Sequence, residues 1–253
     1  MKSRRRAFIL LALLYPMRFW LYVTHAKIRV RPFVHPSTEP HRFGEHHDPI
    51  RLLVLGDSIG AGVGCKLEDS MSWQLATKLS GQRAVELTIR AVSGSCGRDV
   101  LFNQIPAAAD DNPDVVLICV GTNDVAQLVF MRSNFELLAA EYEELIRTAR
   151  SMWPEAQIVL TGAGDVQSLR TYGRLMRRLA DRRARELNRL IDRLAREHGA
   201  TYVPLARLVS DEFRNTPGCF SADRFHPSSL GYGILAQKLE APVRQAAAAV
   251  GKI

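Results

Sequence analysis

Three residue types in this chain stand in contexts suited to nucleophilic chemistry. Ser58 lies in Gly56-Asp57-Ser58-Ile59-Gly60, where glycines free the backbone around the only side chain of the stretch that can become a nucleophile. Asp223 and His226 stand three residues apart in Asp223-Arg224-Phe225-His226-Pro227, and His198 is the only other histidine beyond residue 47. A serine hydroxyl attacks poorly at neutral pH. It needs an imidazole as general base, and that imidazole needs an acid to fix its tautomer and stabilise its cation. Ser58, His226 and Asp223 can fill those roles, and the chemistry they would serve is acyl transfer.

Acyl transfer also develops negative charge on the carbonyl oxygen, which fixed donors must receive. The donors to expect here are the backbone N–H groups of Ser58 and Gly94 and the side-chain amide of Asn123, and losing one such donor typically costs about 10²–10³ in rate. Gly94 lies in Val92-Ser93-Gly94-Ser95. Asn123 lies in Gly121-Thr122-Asn123-Asp124, directly after the apolar run Val115–Val120.

These segments share one feature: each of the first three follows a predicted strand. Leu52–Leu55 is continuously apolar, as in a strand covered on both faces of a parallel sheet. Strands are further predicted over 84–92, 115–120, 158–161 and 201–205. Helices are expected over 68–81, 99–109, 135–149, 169–198 and from Pro227 onward. Alternating strands and helices predict a parallel sheet with helices on both faces, and in such sheets sites form at the carboxyl ends of the strands.

With these blocks in place, the chain resembles the SGNH hydrolases, or GDSL-type esterases and lipases. Gly56-Asp57-Ser58-Ile59-Gly60-Ala61-Gly62 resembles the nucleophile block, Ser93-Gly94 the glycine block, Gly121-Thr122-Asn123-Asp124 the asparagine block and Asp223–Pro227 the acid and histidine block. The likeness covers residues 51 to 245, with Ile59 where the family name records leucine. The resemblance implies a flavodoxin-like three-layer α/β/α sandwich with a parallel central sheet. It also implies a catalytic triad of Ser58, Asp223 and His226, an oxyanion hole of Ser58, Gly94 and Asn123, and no cofactor or metal. The expected substrate is an acyl ester, with acetylated carbohydrate or thioester as alternatives; a non-catalytic binding protein on the same fold is the reading from another class.

Other motifs fit less well. An α/β-hydrolase nucleophile elbow also reads G-x-S-x-G, but there several strands precede the serine, and here one does. Glycines 60, 62 and 64 miss the spacing of a dinucleotide loop. Asp57 and Asp124 are read as structural, Asp124 capping its turn or holding a neighbouring loop, and His198 as a cation at a helix C-terminus.

The formal net charge of +8 raises nucleic acid as a partner, yet residues 1–33 carry eight Lys or Arg and no acid, which leaves 26 basic and 26 acidic residues in the other 220. A neutral body lacks the basic face that polyanion binding requires, and the arginines of the long helix are interleaved with acids. We therefore expect no nucleic-acid partner. Residues 1–33 pair a basic start with Ala7–Tyr15 and Phe19–Val23. This suits a secretory signal or an interfacial anchor, with a helix packed on the domain as the bland alternative. The expectation is a membrane-associated or envelope-exported protein, with a cytoplasmic one as the alternative.

Residues 34–50, rich in proline and histidine, read as a linker, and 51–250 as the catalytic domain. His46-His47-Asp48 lacks the spacing of a metal site. Cys65, Cys96, Cys119 and Cys219 form no C-x-x-C pair; Cys119 reads as a buried small hydrophobe, and a disulfide among the other three is left open.

Overall fold

The computed structural model describes residues 35–81, 83–168 and 173–252. The signal-or-anchor expectation for residues 1–33 lies outside them. Among the described residues the sheet has six strands: β1 (His41–Phe43), β2 (Ile50–Gly56), β3 (Val85–Ile89), β4 (Val115–Cys119), β5 (Gln157–Leu160) and β6 (Thr201–Tyr202). Their spatial order is β1-β3-β2-β4-β5-β6, all parallel except β1, which pairs antiparallel with β3. Leaving out β1, the order is the 2-1-3-4-5 arrangement of a flavodoxin-like sheet, in which the winding reverses between the first and third strands. Here that switch point falls between β2 and β4, the strands that lead into Ser58 and Asn123.

The apolar run of β2 is buried on both sides, as its composition requires. Leu53 and Leu55 join Val116, Ile118, Ile158 and Leu160 in the core beneath α6 (Phe135–Met152) and α7 (Arg174–Glu197). Leu52, Val54, Leu117 and Val159 are buried on the opposite side, which α2 (Met71–Leu79) and α9 (Ser229–Ala249) cover. The two-residue period of each strand thus feeds two cores, which makes the three-layer sandwich. Removing one of these leucines to alanine costs roughly 2–5 kcal/mol.

Three local differences from the sequence reading have physical causes. The stretch read as a linker contributes β1, because His41 and Phe43, two residues apart and so on one face, pack on the Trp73 ring at 5.1 and 4.8 Å. The expected strand at 201–205 stops at Tyr202, where Pro204 has no N–H for the ladder and α8 (Leu205–Asn215) begins, burying Leu205, Val209 and Phe213 at helical spacing. A further helix, α5 (Thr122–Val129), starts directly at the asparagine block.

The arginine face of α7 is paired within the helix, with Arg182 on Glu186 at 3.0 Å and Arg196 on Asp192 at 2.7 Å. That is the pattern of a solvated surface. All four cysteines are free, which closes the disulfide question, and Cys119 is buried in β4 as expected.

Candidate active site

β2 ends in a backbone arrangement open only to glycine. Gly56 has φ +132°, and a Cβ there would lie 2.0 Å from the Cys119 carbonyl oxygen of β4. The chain then crosses over: the Asp57 N–H donates to that carbonyl at 2.9 Å, and the Asp57 carboxylate accepts from the Ile59 N–H at 2.9 Å as the N-cap of α1 (Ser58–Ala61). Ser58 thereby becomes the first residue of a four-residue helix that closes at Gly62. Its own carbonyl accepts from the Val63 N–H at 3.0 Å, and Tyr232 of α9 donates to the Val63 carbonyl at 2.7 Å, so the turn is tied on both sides.

A buried glutamine carries much of this turn. The helical stretch after β3 runs through α3 (Gly97–Asp99), a π-helical segment over Val100–Gln104 and α4 (Ile105–Ala107). A π segment holds one extra residue per turn, and Gln104 lies at its end. The Gln104 amide accepts from the Gly56 N–H at 2.7 Å and donates to the Gly56 carbonyl at 2.8 Å and to Ser95 Oγ at 3.0 Å. It pairs with the last residue of β2 as a strand would, and it also reaches the glycine block.

Gly94 sits in an exposed left-handed turn between β3 and α3, at φ +91°. The next residue anchors that turn, since the Ser95 carbonyl accepts from Asn123 Nδ2 at 2.9 Å. The glycine and asparagine blocks are therefore joined directly. Asp124 is fully buried and accepts from the Gly97 N–H at 3.1 Å and from the Tyr142 O–H at 3.1 Å, holding the loop after β3 to α6 as its structural reading required.

The acid and histidine block folds as a tight loop. Ser221 N–H donates to the His226 carbonyl at 2.8 Å, and Arg224 takes φ +57° to close the turn. Asp223 Oδ1 accepts from Ser221 Oγ at 2.8 Å and from the Phe225 and His226 N–H groups at 2.8 and 2.9 Å; its Oδ2 faces His226 Nδ1 at 2.6 Å. The loop packs on the segment after α1, where a Cβ on Gly64 would fall 2.8 Å from the Pro227 carbonyl and 3.1 Å from His226 Cβ. His198, by contrast, caps the C-terminus of α7 near Glu143 at 3.6 Å, remote in role from this loop.

The carboxylates of the region differ in charge preference. Burial pushes Asp57 up to about 7, with the Asp124 charge adding to it against the Ile59 N–H bond. Burial also pushes Asp124 up to about 6, opposed by its bonds from Gly97 and Tyr142. For Asp223, burial acts upward too, but the hydrogen bond and charge of His226 and the bonds from Phe225 and Ser221 overcome it, and the carboxyl is lowered to about 2. Asp223 is therefore an anion beside an imidazole across the whole ordinary pH range. Burial raises the Cys119 thiol to about 12, so it stays protonated.

One cleft, enclosing about 90 Å³, opens at the carboxyl ends of β2, β4 and β5. Ser58 and Asn123 line it together with Phe225 and Pro227, the two neighbours of His226. Gly94 is not among the residues that line it; its neighbour Ser95 joins that turn to Asn123. Sequence reasoning missed two contributors: Gln104, and the α8 residues Leu205, Val209 and Phe213 that also line the cleft. Gln104 did leave a signal, as the polar member of the apolar stripe Val100, Leu101, Ile105, Ala108.

Comparison with known proteins agrees with this architecture. The sequence profile of the GDSL-like lipase/acylhydrolase family matches residues 54–234. The GDSL-like esterase Rv1075c of Mycobacterium tuberculosis is 29% identical over 203 residues, covering 78% of this chain and 62% of that protein's length. Among solved structures, TesA superposes with a TM-score of 0.61 at 20% identity, over 78% of this chain and 99% of its own. The acetylxylan esterase Axe2 of Geobacillus stearothermophilus gives 0.60 at 21% identity, over 79% and 94%. At those identities the two structures speak for the fold.

Proposed function

Because the chain belongs to the GDSL-like lipase/acylhydrolase family, we propose that it hydrolyses carboxylic esters through a Ser58-His226-Asp223 triad and an acyl-enzyme intermediate. The observation that carries this reading is the 2.6 Å contact between His226 Nδ1 and a carboxylate held ionised, in a loop whose flanking residues share a cleft with Ser58. Asp223 accepts a hydrogen bond from His226 Nδ1–H, which leaves Nε2 as the basic nitrogen. Ser58 Oγ attacks the acyl carbon while its proton passes to His226 Nε2. The carbonyl oxygen, now an anion, takes hydrogen bonds from the N–H groups of Ser58 and Gly94 and from the Asn123 amide. That amide has two hydrogens: one holds the Ser95 carbonyl, and the other serves the substrate. Collapse expels the alcohol, which leaves with the proton from His226. Water then gives a proton to His226 as it attacks the acyl carbon, and the carboxylic acid is released as Ser58 Oγ takes that proton back from His226.

The test is hydrolysis of p-nitrophenyl esters by the full-length chain and by Ser58→Ala. Loss of at least about 10³ in kcat/KM is expected, since triad members act as a unit. Undiminished hydrolysis by Ser58→Ala would overturn the mechanism. In the same reading, residues 1–33 bring the enzyme to a membrane or the cell envelope, so the full-length chain should fractionate with membranes or be exported, and recovery only from the soluble cytosol would remove that part of the proposal.

A further inference from the structure

The cleft beside Ser58 is built unevenly. Ser58, Thr122 and Asn123 give it polar groups, while Leu205, Val209, Phe213, Phe220 and Leu235 make much of the remaining lining hydrocarbon. Phe213 of α8 and Phe220 meet there edge to face, with ring centroids 5.3 Å apart and planes at 82°. Among the described residues no Lys or Arg lines the cleft, whereas Asp57 and Asp165 do. Asp165 is occupied, accepting from Ser168 Oγ at 2.6 Å and from the Gln167 N–H at 3.0 Å. A negatively charged group entering the cleft would find no cation among these lining residues, because Arg214, 3.9 Å from Asp165, is already engaged by that carboxylate.

The arrangement also tells which half of an ester enters. The alcohol must take its proton from His226, so it departs on the imidazole's side, and the His226 side chain does not line the cleft although Phe225 and Pro227 on either side of it do. Ser58 and Asn123, the groups that hold the acyl carbon and its oxygen, do line it. The space is also small. A volume of about 90 Å³ is well below the roughly 150 Å³ apolar cavity known to hold a benzene ring.

Building on the esterase reading above, we infer that this cleft is an acyl subsite for short, uncharged, unbranched chains, with the Phe213–Phe220 pair as the wall that limits their length. Each methylene added within the cleft should raise kcat/KM about fourfold, the factor for burying one CH₂. Chains that reach the aromatic pair should gain nothing more or lose activity.

The experiment compares p-nitrophenyl esters of acetate, butyrate, hexanoate and octanoate on the full-length protein, on Phe213→Ala and on Phe220→Ala. The wild type should favour butyrate over octanoate, and opening the wall should raise the octanoate-to-butyrate ratio by about tenfold or more, within the range one or two methylenes can exert in a pocket. A second measurement does not depend on turnover: calorimetric binding of N-methylalkanamides of two to ten carbons to Ser58→Ala. Affinity should climb to about four carbons and level off, with the plateau moving to longer chains when Phe213→Leu is added. An absence of hydrolysis with this binding pattern intact would defeat the esterase reading and leave the subsite standing. Flat binding across the series, an unchanged octanoate-to-butyrate ratio in folded wall variants, or a shift confined to esters that differ in their alcohol would overturn the subsite.

Discussion

Two regions of the molecule handle buried carboxylates in opposite ways. At the ends of β2 and β4, Asp57 and Asp124 are buried with few compensating partners, and each is driven toward its neutral form, to about 7 and about 6. In the C-terminal loop, Asp223 is also buried, yet it faces an imidazole and three further donors and falls to about 2. Burial alone does not decide whether an acid is charged; the number and charge of the donors turned toward it do. The first region uses carboxyls as struts that tie turns and loops together. The second keeps a permanent anion where an imidazolium has to be stabilised. The strut region is organised by backbone contacts, with Gly56 against β4, Gln104 on Gly56 and Asn123 on Ser95, whereas the anion region is organised around a single side chain.

The largest effect should come from breaking the anion. Asp223→Asn keeps the shape and the acceptor of Oδ1 but removes the charge facing His226 and offers an amide N–H where the Nδ1 proton needs an acceptor. Activity should fall by about 10⁴, the scale seen when a triad acid is made an amide. Steady-state kinetics should place the loss in kcat. If Asp124→Asn cost as much as Asp223→Asn, the division between strut and anion would fail.

Gln104 tests the strut region next. Gln104→Leu retains volume but strips three hydrogen bonds and leaves the Gly56 N–H buried without this partner, at about 1–3 kcal/mol for an unsatisfied group, while the Gly56 carbonyl keeps its bond from the Val92 N–H. Because the Gln104 bonds fix both the turn before Ser58 and the Ser95 loop, kcat should drop roughly ten- to hundredfold, the order of effect a displaced oxyanion donor has, while KM changes little. Thermal unfolding run beside the kinetics separates the two consequences. A variant with lowered stability but full kcat would reduce Gln104 to a structural role.

The pH dependence of stability comes next and has a definite sign. Asp57 ionises near 3.8 in the unfolded chain and near 7 in the folded one, so between those values the folded protein holds a proton that the unfolded chain has lost. Its contribution is fully present below pH 3.8 and is lost as pH rises through 7, with a slope of up to about 1.4 kcal/mol per pH unit. Asp124 acts in the same direction over a window ending near 6. Asp223 does the reverse, stabilising above 3.8 and losing that contribution as pH falls through 2. Asp57→Asn, whose Oδ1 can still accept from Ile59, should flatten the decline in Tm between pH 5 and pH 8. An unchanged slope would mean that Asp57 is ionised in the folded protein.

How much of this was legible in the sequence depended on whether a feature is written locally. The doubly buried β2 run, the glycines around Ser58 and the spacing of Asp223 and His226 are short-range patterns, and the alternation of strands and helices was enough to anticipate the parallel sheet. β1 was hidden because three residues with a single Phe carry too little periodicity, and they are placed by pairing with β3 and by packing on Trp73, thirty residues later. α5 and α8 were hidden because turn-rich blocks mask where a helix begins; α8 in turn supplies the Phe213 wall. The bond from Asn123 to Ser95 spans 28 positions, and no local rule predicts such a pairing.

The smallest expected effect sharpens what Asp124 does. Tyr142 is fully buried in α6, and its hydroxyl donates to Asp124 Oδ2 at 3.1 Å while the Gly97 N–H approaches the same carboxylate. Tyr142→Phe removes that donor without altering the ring packing, and a buried hydrogen bond to a carboxyl group is worth about 1–3 kcal/mol. Because the Tyr142 bond opposes the burial that raises Asp124, its loss should move Asp124 further toward its neutral form and widen the pH window over which stability declines. Guanidinium unfolding at pH 5 and pH 8 reads both effects at once. The variant should lose more stability at pH 8, where the carboxylate would be charged with one donor fewer, than at pH 5, where a protonated Asp124 needs that donor less. Equal losses at the two pH values would show that Asp124 keeps one protonation state across that range, and its burial would then not set the pH dependence.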